Sequence, residues 1–344
     1  MNTAVAHRHA VDSQEKMLID NHGRRINYVR LAVTDVCNLR CVYCMPEHMK
    51  FLPRNETLTF SENIRLLKLL SQMGITKVRI TGGEPFVRPD LPDLLREIRR
   101  IPGIRNVHIT TNGVLTAPHL PLLKSLGIAG INLSLDSLDR ERFRQITRRD
   151  VFAKVMDTFH GAIAANIPLR VNMVVMDGVN TNDILPMAKL SQNYPVSVRF
   201  IEEMPFDGSG KIKPHIEWDH RKILALLQSE FPEIHPLPGE AAATAQHFNI
   251  PGFAGSVGII AGFTRTFCGS CNRIRINARG GLQTCLYGAD DLNVRDLLRS
   301  SVSDLEIQQA FRKRIGNRFK DGWEAQQHRQ KSGETNESMS LIGG

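Results

Sequence analysis

Six cysteines in two widely separated triplets are the residues of this chain best suited to chemistry. The first triplet has the spacing C-x-x-x-C-x-x-C and the second begins as C-x-x-C, and their members are Cys37, Cys41 and Cys44, then Cys268, Cys271 and Cys285. Three thiolates leave a four-coordinate metal incomplete, and cube-shaped iron–sulfur clusters usually take four cysteines. Each triplet therefore predicts a metal site with one coordination position left for another ligand.

The spacing alone leaves the metal at the second triplet open. Because C-x-x-C is a common zinc half-site, zinc with an unidentified fourth ligand is an alternative to an iron–sulfur cluster there. Zinc is disfavoured at the first triplet, since His48 has no second histidine at ligand spacing. A disulfide framework is also disfavoured, because six cysteines in 344 residues are too sparse for a disulfide-rich fold.

Composition predicts a folded protein with an anionic partner. A hydrophobic content of 42% in 344 residues suffices for a large core. The apolar runs are far shorter than the roughly 20 residues of a membrane span, and the first residues lack a signal-peptide pattern. We therefore expect a cytoplasmic protein with reduced thiols and no membrane partner. The net charge of +9 favours an anionic partner, whether nucleic acid, a membrane surface or a phosphorylated small molecule, and nucleic acid is the less favoured because no RNP-like pattern is present.

Short apolar strands alternate with amphipathic helical segments from residue 26 to 205, at a period of about 30 residues. Such repetition predicts an α/β fold with a parallel sheet, in the form of a partial (β/α)6 barrel of the TIM type. The active-site face of such a barrel lies at the carboxyl ends of its strands. The predicted strands are 28–33, 78–81, 107–111, 130–135, 169–175 and 196–201.

The pattern changes after Pro205, where Gly, Pro and His become frequent. We expect a C-terminal α+β extension over 206–320 that carries the second triplet and closes the barrel of residues 26–205. Residues 1–25 are predicted to form a flexible N-terminal segment. The polar composition after residue 320 predicts a flexible tail, 321–344, that ends in two glycines.

The first triplet follows the first predicted strand, and the aromatic Tyr43 precedes its last cysteine. A Gly-Gly-Glu-Pro sequence at 82–85 ends the second strand. Together these motifs resemble those of the radical S-adenosylmethionine superfamily. In that superfamily, S-adenosylmethionine chelates the fourth iron of a [4Fe–4S] cluster through its amino and carboxylate groups. The resemblance therefore implies such a cluster on Cys37, Cys41 and Cys44, with S-adenosylmethionine at the open position.

The second triplet is followed by further motifs, which are Asn272-Arg273-x-Arg275, Gly281-Leu282, Cys285-Leu286 and the final Gly343-Gly344. This set resembles the GTP 3′,8-cyclase family of molybdenum cofactor biosynthesis. The resemblance extends from Asn27 to Gly344, except for the stretch 206–250. It implies a second [4Fe–4S] cluster on Cys268, Cys271 and Cys285, whose open iron contacts the guanine of GTP.

The resemblance also implies roles for individual residues. Contacts with S-adenosylmethionine are implied for Tyr43, Gly83, Ser134 and Met204. Contacts with GTP are implied for Arg30, Arg79, Thr110, Arg170, Arg273 and Arg275. Catalytic roles are implied for the first triplet and for Arg273, Arg275, Gly343 and Gly344. The family commonly has lysine at position 170, so the geometry of the Arg170 contact differs.

The resemblance implies a lyase that converts GTP into (8S)-3′,8-cyclo-7,8-dihydroguanosine 5′-triphosphate, with a 5′-deoxyadenosyl radical abstracting the 3′ hydrogen. It also implies a flavodoxin- or ferredoxin-type reductant and a downstream cyclic pyranopterin monophosphate synthase, and it allows a homodimer. One alternative is another radical S-adenosylmethionine enzyme with an auxiliary cluster, acting on a peptide or RNA. A zinc-binding scaffold without enzymatic activity is an alternative of a different class.

Overall fold

A computed structural model of the chain describes residues 17–209, 215–239, 242–290, 292–332 and 337–344. Its strands form a two-stranded hairpin and one large sheet. The strands are β1 Leu18–Ile19, β2 Arg25–Ile26, β3 Tyr28–Ala32, β4 Lys77–Thr81, β5 Asn106–Thr111, β6 Gly130–Ser134, β7 Leu169–Val175, β8 Ser197–Glu202, β9 His235–Pro236, β10 Ala245–Asn249, β11 Ser256–Ile260, β12 Arg273–Ile276, β13 Gly281–Gln283 and β14 Leu292–Asn293.

The helices of the described residues lie between the barrel strands and in the C-terminal part of the chain. They are α1 Phe60–Gln72, α2 Leu91–Arg100, α3 Leu120–Ser125, α4 Arg140–Thr147, α5 Phe152–Ala164, α6 Ile184–Asn193, α7 His220–Glu230, α8 Val294–Arg299, α9 Asp304–Ile315, α10 Gly322–Lys331 and α11 Met339–Ile342. None of them combines the length and hydropathy that a bilayer-spanning segment requires.

The large sheet has the strand order β14-β13-β12-β3-β4-β5-β6-β7-β8-β11-β10-β9. Strands β3 to β8 pair in parallel, in the order in which they occur along the chain. Two strands of the C-terminal part join this core in parallel, β12 beside β3 and β11 beside β8. The order ends at β14 and β9, so the sheet of the described residues is not a closed ring, which agrees with a partial barrel.

The local sequence accounts for these elements. Apolar residues such as Val29 and Leu31 are fully buried along β3, which explains why short apolar runs predicted the six barrel strands correctly to within two residues. Helix α1 begins with a capping box between Thr59 and Glu62. Its buried face includes Leu66 and other leucines, which pack into the main core.

Both predicted flexible ends contain regular elements where the structure describes them. Residues 18–26 form an antiparallel hairpin that buries Leu18 and Ile26, while residues 1–16 of the predicted segment lie outside the described residues. In the predicted tail, α10 buries Ala325 and Arg329, and α11 buries Leu341. The polar sequence of α10 lacks an apolar stripe, so long-range contacts rather than local pattern account for its order.

The segment after Pro205, where Gly, Pro and His become frequent, contains a strand at Ala245–Asn249. Strand β10 pairs antiparallel with β11 and buries Ala245 and Phe248. The extension is thus partly a continuation of the barrel sheet at both edges. The boundary at residues 205 and 206 stays a prediction.

Replacing Gly255 by alanine should destabilise the junction of β11 with β8. An added Cβ would lie 2.0 Å from the carbonyl oxygen of Val196, and backbone cannot move aside cheaply. We expect a loss of about 1–3 kcal/mol in the free energy of unfolding, measured by denaturant titration. Gly239 is the matched control, because its Cβ would meet nothing within 4 Å. Equal stability of the two variants would contradict this packing.

Candidate active site

Both cysteine triplets border one cavity. Most of the residues predicted from the sequence line this cavity, whereas Arg170 and Gly343 do not. Those that line it are Arg30, Cys37, Cys41, Tyr43, Cys44, Arg79, Gly83, Thr110, Ser134, Met204, Cys268, Cys271, Arg273, Arg275, Cys285 and Gly344. The fold therefore brings together two groups of thiols and a group of arginines that are far apart in the sequence.

The first triplet lies on the loop that follows β3. Hydrogen bonds from the backbone N–H groups of Arg40 and Val42 to carbonyl groups of α4 hold this loop, at 3.1 and 3.0 Å. The backbone N–H of Leu39 donates to the Cys37 sulfur at 3.4 Å. Burial raises the pKa of the Cys37 thiol to about 11. Burial and the neighbouring acidic groups Asp136, Cys44 and Cys37 raise the pKa of Cys41 well above its usual value.

The second triplet lies on the short 3₁₀ turn Cys268–Ser270, on the residue after it, and beyond β13. Burial raises the pKa of Cys285 to about 11, and the other two cysteines add to this effect. Burial also opposes ionisation of Cys271, but Arg273 and Arg318 outweigh it and lower the pKa of Cys271 to about 7. All six cysteines are free thiols.

The donor sets of the two triplets fit iron–sulfur clusters. Within the described residues, no three His, Cys, Asp or Glu side chains converge on one point as a single metal ion requires. A cube-shaped cluster does not require its thiolates to converge on one point, because each thiolate binds a different iron. Buried thiols need a nearby positive charge to ionise, which the cluster irons supply. The residues present at each triplet therefore fit a [4Fe–4S] cluster.

The two glycines at the end of β4 pack against the loop that leads to the first triplet. A Cβ on Gly82 would lie 2.2 Å from the carbonyl oxygen of Thr34, and a Cβ on Gly83 would lie 2.4 Å from that of Val36. Gly82 also has a φ of +152°, which other residues rarely adopt. These glycines are thus required by the packing of the cysteine loop.

Two buried carboxylates hold the residues around the first triplet. Glu84 accepts hydrogen bonds from the N–H groups of Phe86 and Asn112 and from the Thr111 hydroxyl, at 2.7 to 3.1 Å. Burial raises the pKa of Glu84 to about 7. Asp136 accepts from the Tyr43 hydroxyl at 2.9 Å, and burial raises the pKa of Asp136 to about 6. The hydrogen bond to Asp136, which lies two residues after β6, therefore fixes the position of the Tyr43 side chain.

The arginines of the cavity form a row across three neighbouring strands. Arg275 on β12 is paired in register with Arg30 on β3, and Arg30 with Arg79 on β4. Burial lowers the pKa of Arg30 well below its usual value, and repulsion from Arg275 adds to this effect. Burial and repulsion from Arg273 lower the pKa of Arg275 to about 10. The row is therefore a buried concentration of positive charge.

Several polar atoms of this row have no partner within the described protein. They are the Nε atoms of Arg30, Arg79 and Arg273 and the hydroxyl of Thr110. Buried polar groups are normally hydrogen-bonded, and leaving one unpaired costs about 1–3 kcal/mol. An anionic ligand with several oxygen atoms would satisfy these donors and offset their charge.

Of the last two residues of the sequence, Gly344 lines the cavity beside this row. The Thr81 hydroxyl donates to the Gly344 carbonyl oxygen at 2.6 Å, and Arg275 donates to that of Gly343 at 3.3 Å. Gly343 has a φ of +86°, and an added Cβ would lie 2.8 Å from Thr81 Cγ2. Only glycine fits this conformation and spacing. Gly343 itself contacts the strand ends beneath the cavity.

Comparisons with known proteins agree with this architecture. A family model described as the Radical SAM superfamily matches residues 31–191, and one described as Molybdenum Cofactor Synthesis C matches residues 196–323. The GTP 3′,8-cyclase of Chlorobaculum tepidum is 35% identical over 333 residues, which are 96% of this chain and 98% of the relative. That of Syntrophomonas wolfei is 40% identical over 299 residues, 86% of this chain and 91% of the relative. The chain belongs to the GTP 3′,8-cyclase family.

Longer relatives and a solved structure extend this comparison. Human molybdenum cofactor biosynthesis protein 1 is 40% identical over 309 residues, and this chain spans about half of it, 48%. The Streptococcus suis protein SuiB, solved with bound S-adenosylmethionine, has a TM-score of 0.62 at 14% identity. That likeness covers 90% of this chain and 72% of SuiB. It confirms the expected partial-barrel fold.

Membership of the radical S-adenosylmethionine superfamily assigns S-adenosylmethionine and one [4Fe–4S] cluster to this GTP 3′,8-cyclase family member. The sequence motifs at the first triplet and at 82–85 agree with that assignment. Which residue contacts which part of the cofactor stays a prediction, as do the roles of Ser134 and Met204 at the ends of β6 and β8.

Arg170, where the family commonly has lysine, lies on β7 opposite Asn132 and Ser197. A Cβ on Gly130 would lie 2.5 Å from a terminal nitrogen of Arg170, so glycine makes room for the larger guanidinium. Arg170 does not line the cavity, but its charge lowers the pKa of Arg199 beside it. Its predicted phosphate contact stays a prediction.

Sequence reasoning missed Arg199 on β8. Arg199 lines the cavity, is buried, and donates from Nε to the Asn172 side chain at 3.0 Å, while one terminal nitrogen has no partner. Burial, followed by repulsion from Arg79 and Arg170, lowers the pKa of Arg199 well below its usual value. The available signal was an arginine within an otherwise apolar strand of a predicted barrel.

Replacing Arg30 by methionine should leave the ligand-free protein as stable or more stable. The change removes a partly buried positive charge whose neighbours repel it, and replacing even buried ion pairs by apolar residues of similar volume is often neutral or stabilising by about 1–4 kcal/mol. Inorganic tripolyphosphate should raise the melting temperature of the wild type, and this gain should be lost in the variant. Arg25→Met, an exposed change, is the control. A marked fall in the melting temperature of ligand-free Arg30→Met would contradict the inference.

Proposed function

We propose that the protein is a GTP 3′,8-cyclase that acts in molybdenum cofactor biosynthesis. The observation that carries this proposal is the single cavity lined by two cysteine triplets and by a row of buried arginines with unpaired donors. The names of the Chlorobaculum tepidum and Syntrophomonas wolfei relatives support it. Identity to these cyclases over most of the chain supports it over the alternative enzyme that modifies a peptide or RNA.

GTP would bind with its triphosphate on the arginine row. Arg30, Arg79, Arg273 and Arg275 present planar forks that match phosphate oxygens, and Thr110 adds a hydroxyl. A triphosphate also neutralises the repulsion among these arginines, so binding relieves a cost present in the ligand-free protein. The guanine would face the second triplet, where a second [4Fe–4S] cluster on Cys268, Cys271 and Cys285 offers an open iron.

When bound at the first triplet, the [4Fe–4S] cluster and S-adenosylmethionine supply a 5′-deoxyadenosyl radical that abstracts the 3′ hydrogen of GTP. The protein contributes orientation and exclusion of water. Tyr43, Gly83, Ser134 and Met204 would hold S-adenosylmethionine, and the Asp136 carboxylate would keep Tyr43 in place. Gly343 and Gly344 would cover the cavity beside the reacting groups, because residues without side chains leave room for substrate.

The proposed reaction requires partners. A flavodoxin- or ferredoxin-type protein would deliver the electron, and acidic donors of this kind suit the net charge of +9. A cyclic pyranopterin monophosphate synthase would consume the product. We propose that the protein works in the cytoplasm, and a homodimer is compatible with this function.

Anaerobic incubation with S-adenosylmethionine, dithionite and GTP tests the activity. We expect 5′-deoxyadenosine and the cyclised nucleotide to form together, because each hydrogen abstraction should produce one of each. Chromatography with mass spectrometry measures both products, and ATP in place of GTP is the control. If 5′-deoxyadenosine forms no faster with GTP than without it, the substrate assignment fails.

Single serine substitutions test whether the two triplets have different roles in the reaction. Cys44→Ser should abolish cleavage of S-adenosylmethionine, whereas Cys285→Ser should keep uncoupled cleavage and lose cyclisation of GTP. Each purified variant should contain roughly half of the wild-type iron, because each triplet would hold one of two four-iron clusters. Equal loss of both clusters from either variant, or zinc at either triplet, would contradict the two-cluster assignment.

A further inference from the structure

The hairpin of β1 and β2 packs beside the second cysteine triplet. It lies outside both family matches, which begin at residues 31 and 196. It nevertheless makes buried polar contacts with the segment between α9 and α10, where Arg318 is located. The N-terminal end of the described chain is thus part of the environment of the second triplet.

Arg318 is the centre of these contacts, and its side chain is only 3% exposed. One terminal nitrogen donates to the Cys271 sulfur at 3.0 Å and to the Arg273 carbonyl oxygen at 3.0 Å. The other terminal nitrogen donates to the Cys271 carbonyl oxygen at 2.8 Å, and Nε donates to that of Thr284 at 2.9 Å. A single guanidinium therefore connects the two backbone segments that carry Cys271 and Cys285.

The hairpin fixes Arg318 from the opposite side. The Asp20 carboxylate lies 3.3 Å from Arg318, and the Asn21 side chain accepts from the Arg318 backbone N–H at 3.0 Å. Asp20 also pairs with Arg24 at 2.6 Å, and Arg24 donates to the Cys268 carbonyl oxygen at 3.1 Å. The same hairpin thereby supports the segments of all three cysteines.

The charges of this network match a thiolate. Asp20 is fully buried and offsets one of the two guanidinium charges, which leaves one positive charge on the side of Cys271. A hydrogen bond and a positive charge at a cluster sulfur reduce its electron donation and make the cluster easier to reduce. Only a planar fork can reach all five acceptors in this arrangement, so lysine would not replace Arg318.

We propose that Arg318, braced by the hairpin through Asp20 and Arg24, is a positioning residue that holds the second cysteine triplet and raises the reduction potential of the cluster bound there. The inference rests on the proposed function in one respect, since it requires an iron–sulfur cluster at that triplet. Arg318 acts on the cluster through Cys271 and through the backbone of its neighbours.

The test uses anaerobically prepared full-length holoenzyme of the wild type, Arg318→Lys, Arg318→Gln and Arg24→Met. Arg25→Met is the matched control, because Arg25 lies on the same hairpin with its side chain exposed. Iron per chain, the rate of iron release to a chelator, and the midpoint potential of the second cluster by EPR-monitored titration are measured. Cleavage of S-adenosylmethionine without GTP reports on the first cluster.

Both Arg318 variants should release the iron of the second cluster at least tenfold faster than the wild type, and any cluster retained should have a more negative potential. Arg24→Met should release this iron faster without a comparable shift in potential, because Arg24 does not touch a sulfur. The first cluster should be unchanged throughout. If Arg318→Gln does not fold, Arg318→Lys decides.

Wild-type iron release and potential in Arg318→Lys would overturn the inference, because lysine cannot make all five contacts. Equal loss of the first cluster would also overturn it, since the effect would then be general unfolding. About four rather than eight irons in the wild type would instead refute the second cluster itself, and with it this inference. Iron content of the wild type thus distinguishes the two failures.

Discussion

The parallel pairing of β12 with β3 is the interaction on which the rest of the site depends. Its register places Arg275 beside Arg30, and it brings the C-terminal triplet to the barrel edge from which the first triplet begins. The backbone hydrogen bonds of a sheet fix this register, because a slip by one residue would turn every side chain to the opposite face. The pairing of β12 with β3 therefore determines both the row of arginines and the placement of the two triplets around one cavity.

This arrangement lowers the stability of the ligand-free protein but favours the binding of an anionic substrate. Three arginines in register on adjacent strands repel one another, and the Nε atoms of two of them, Arg30 and Arg79, lack partners within the described protein. Such a cost is tolerable only because the surrounding barrel has an extensive apolar core. The same strain gives an anionic substrate a favourable interaction that water cannot provide. At the second triplet the opposite solution is found, because Asp20 offsets part of the charge of Arg24 and Arg318.

Much of the fold could be predicted from the sequence. Short apolar runs determined the six barrel strands. The sequence did not predict the hairpin, β10 or α10, where local pattern is weak and long-range contacts provide the order. Arg199 was missed for a related reason. Its inward position depends on the pairing of β8 with β7 rather than on any motif around it.

The sequence by itself determined the chemistry, since the spacing of the cysteines, the Gly-Gly-Glu-Pro turn and the arginine pair specify which ligands each short segment can hold. Only the tertiary structure decided that both triplets share one cavity, that Gly344 lines it, and that residues 18–26 brace the second triplet. The physical reason is that motifs depend on local backbone geometry, whereas these contacts join segments hundreds of residues apart through strand pairing and buried hydrogen bonds.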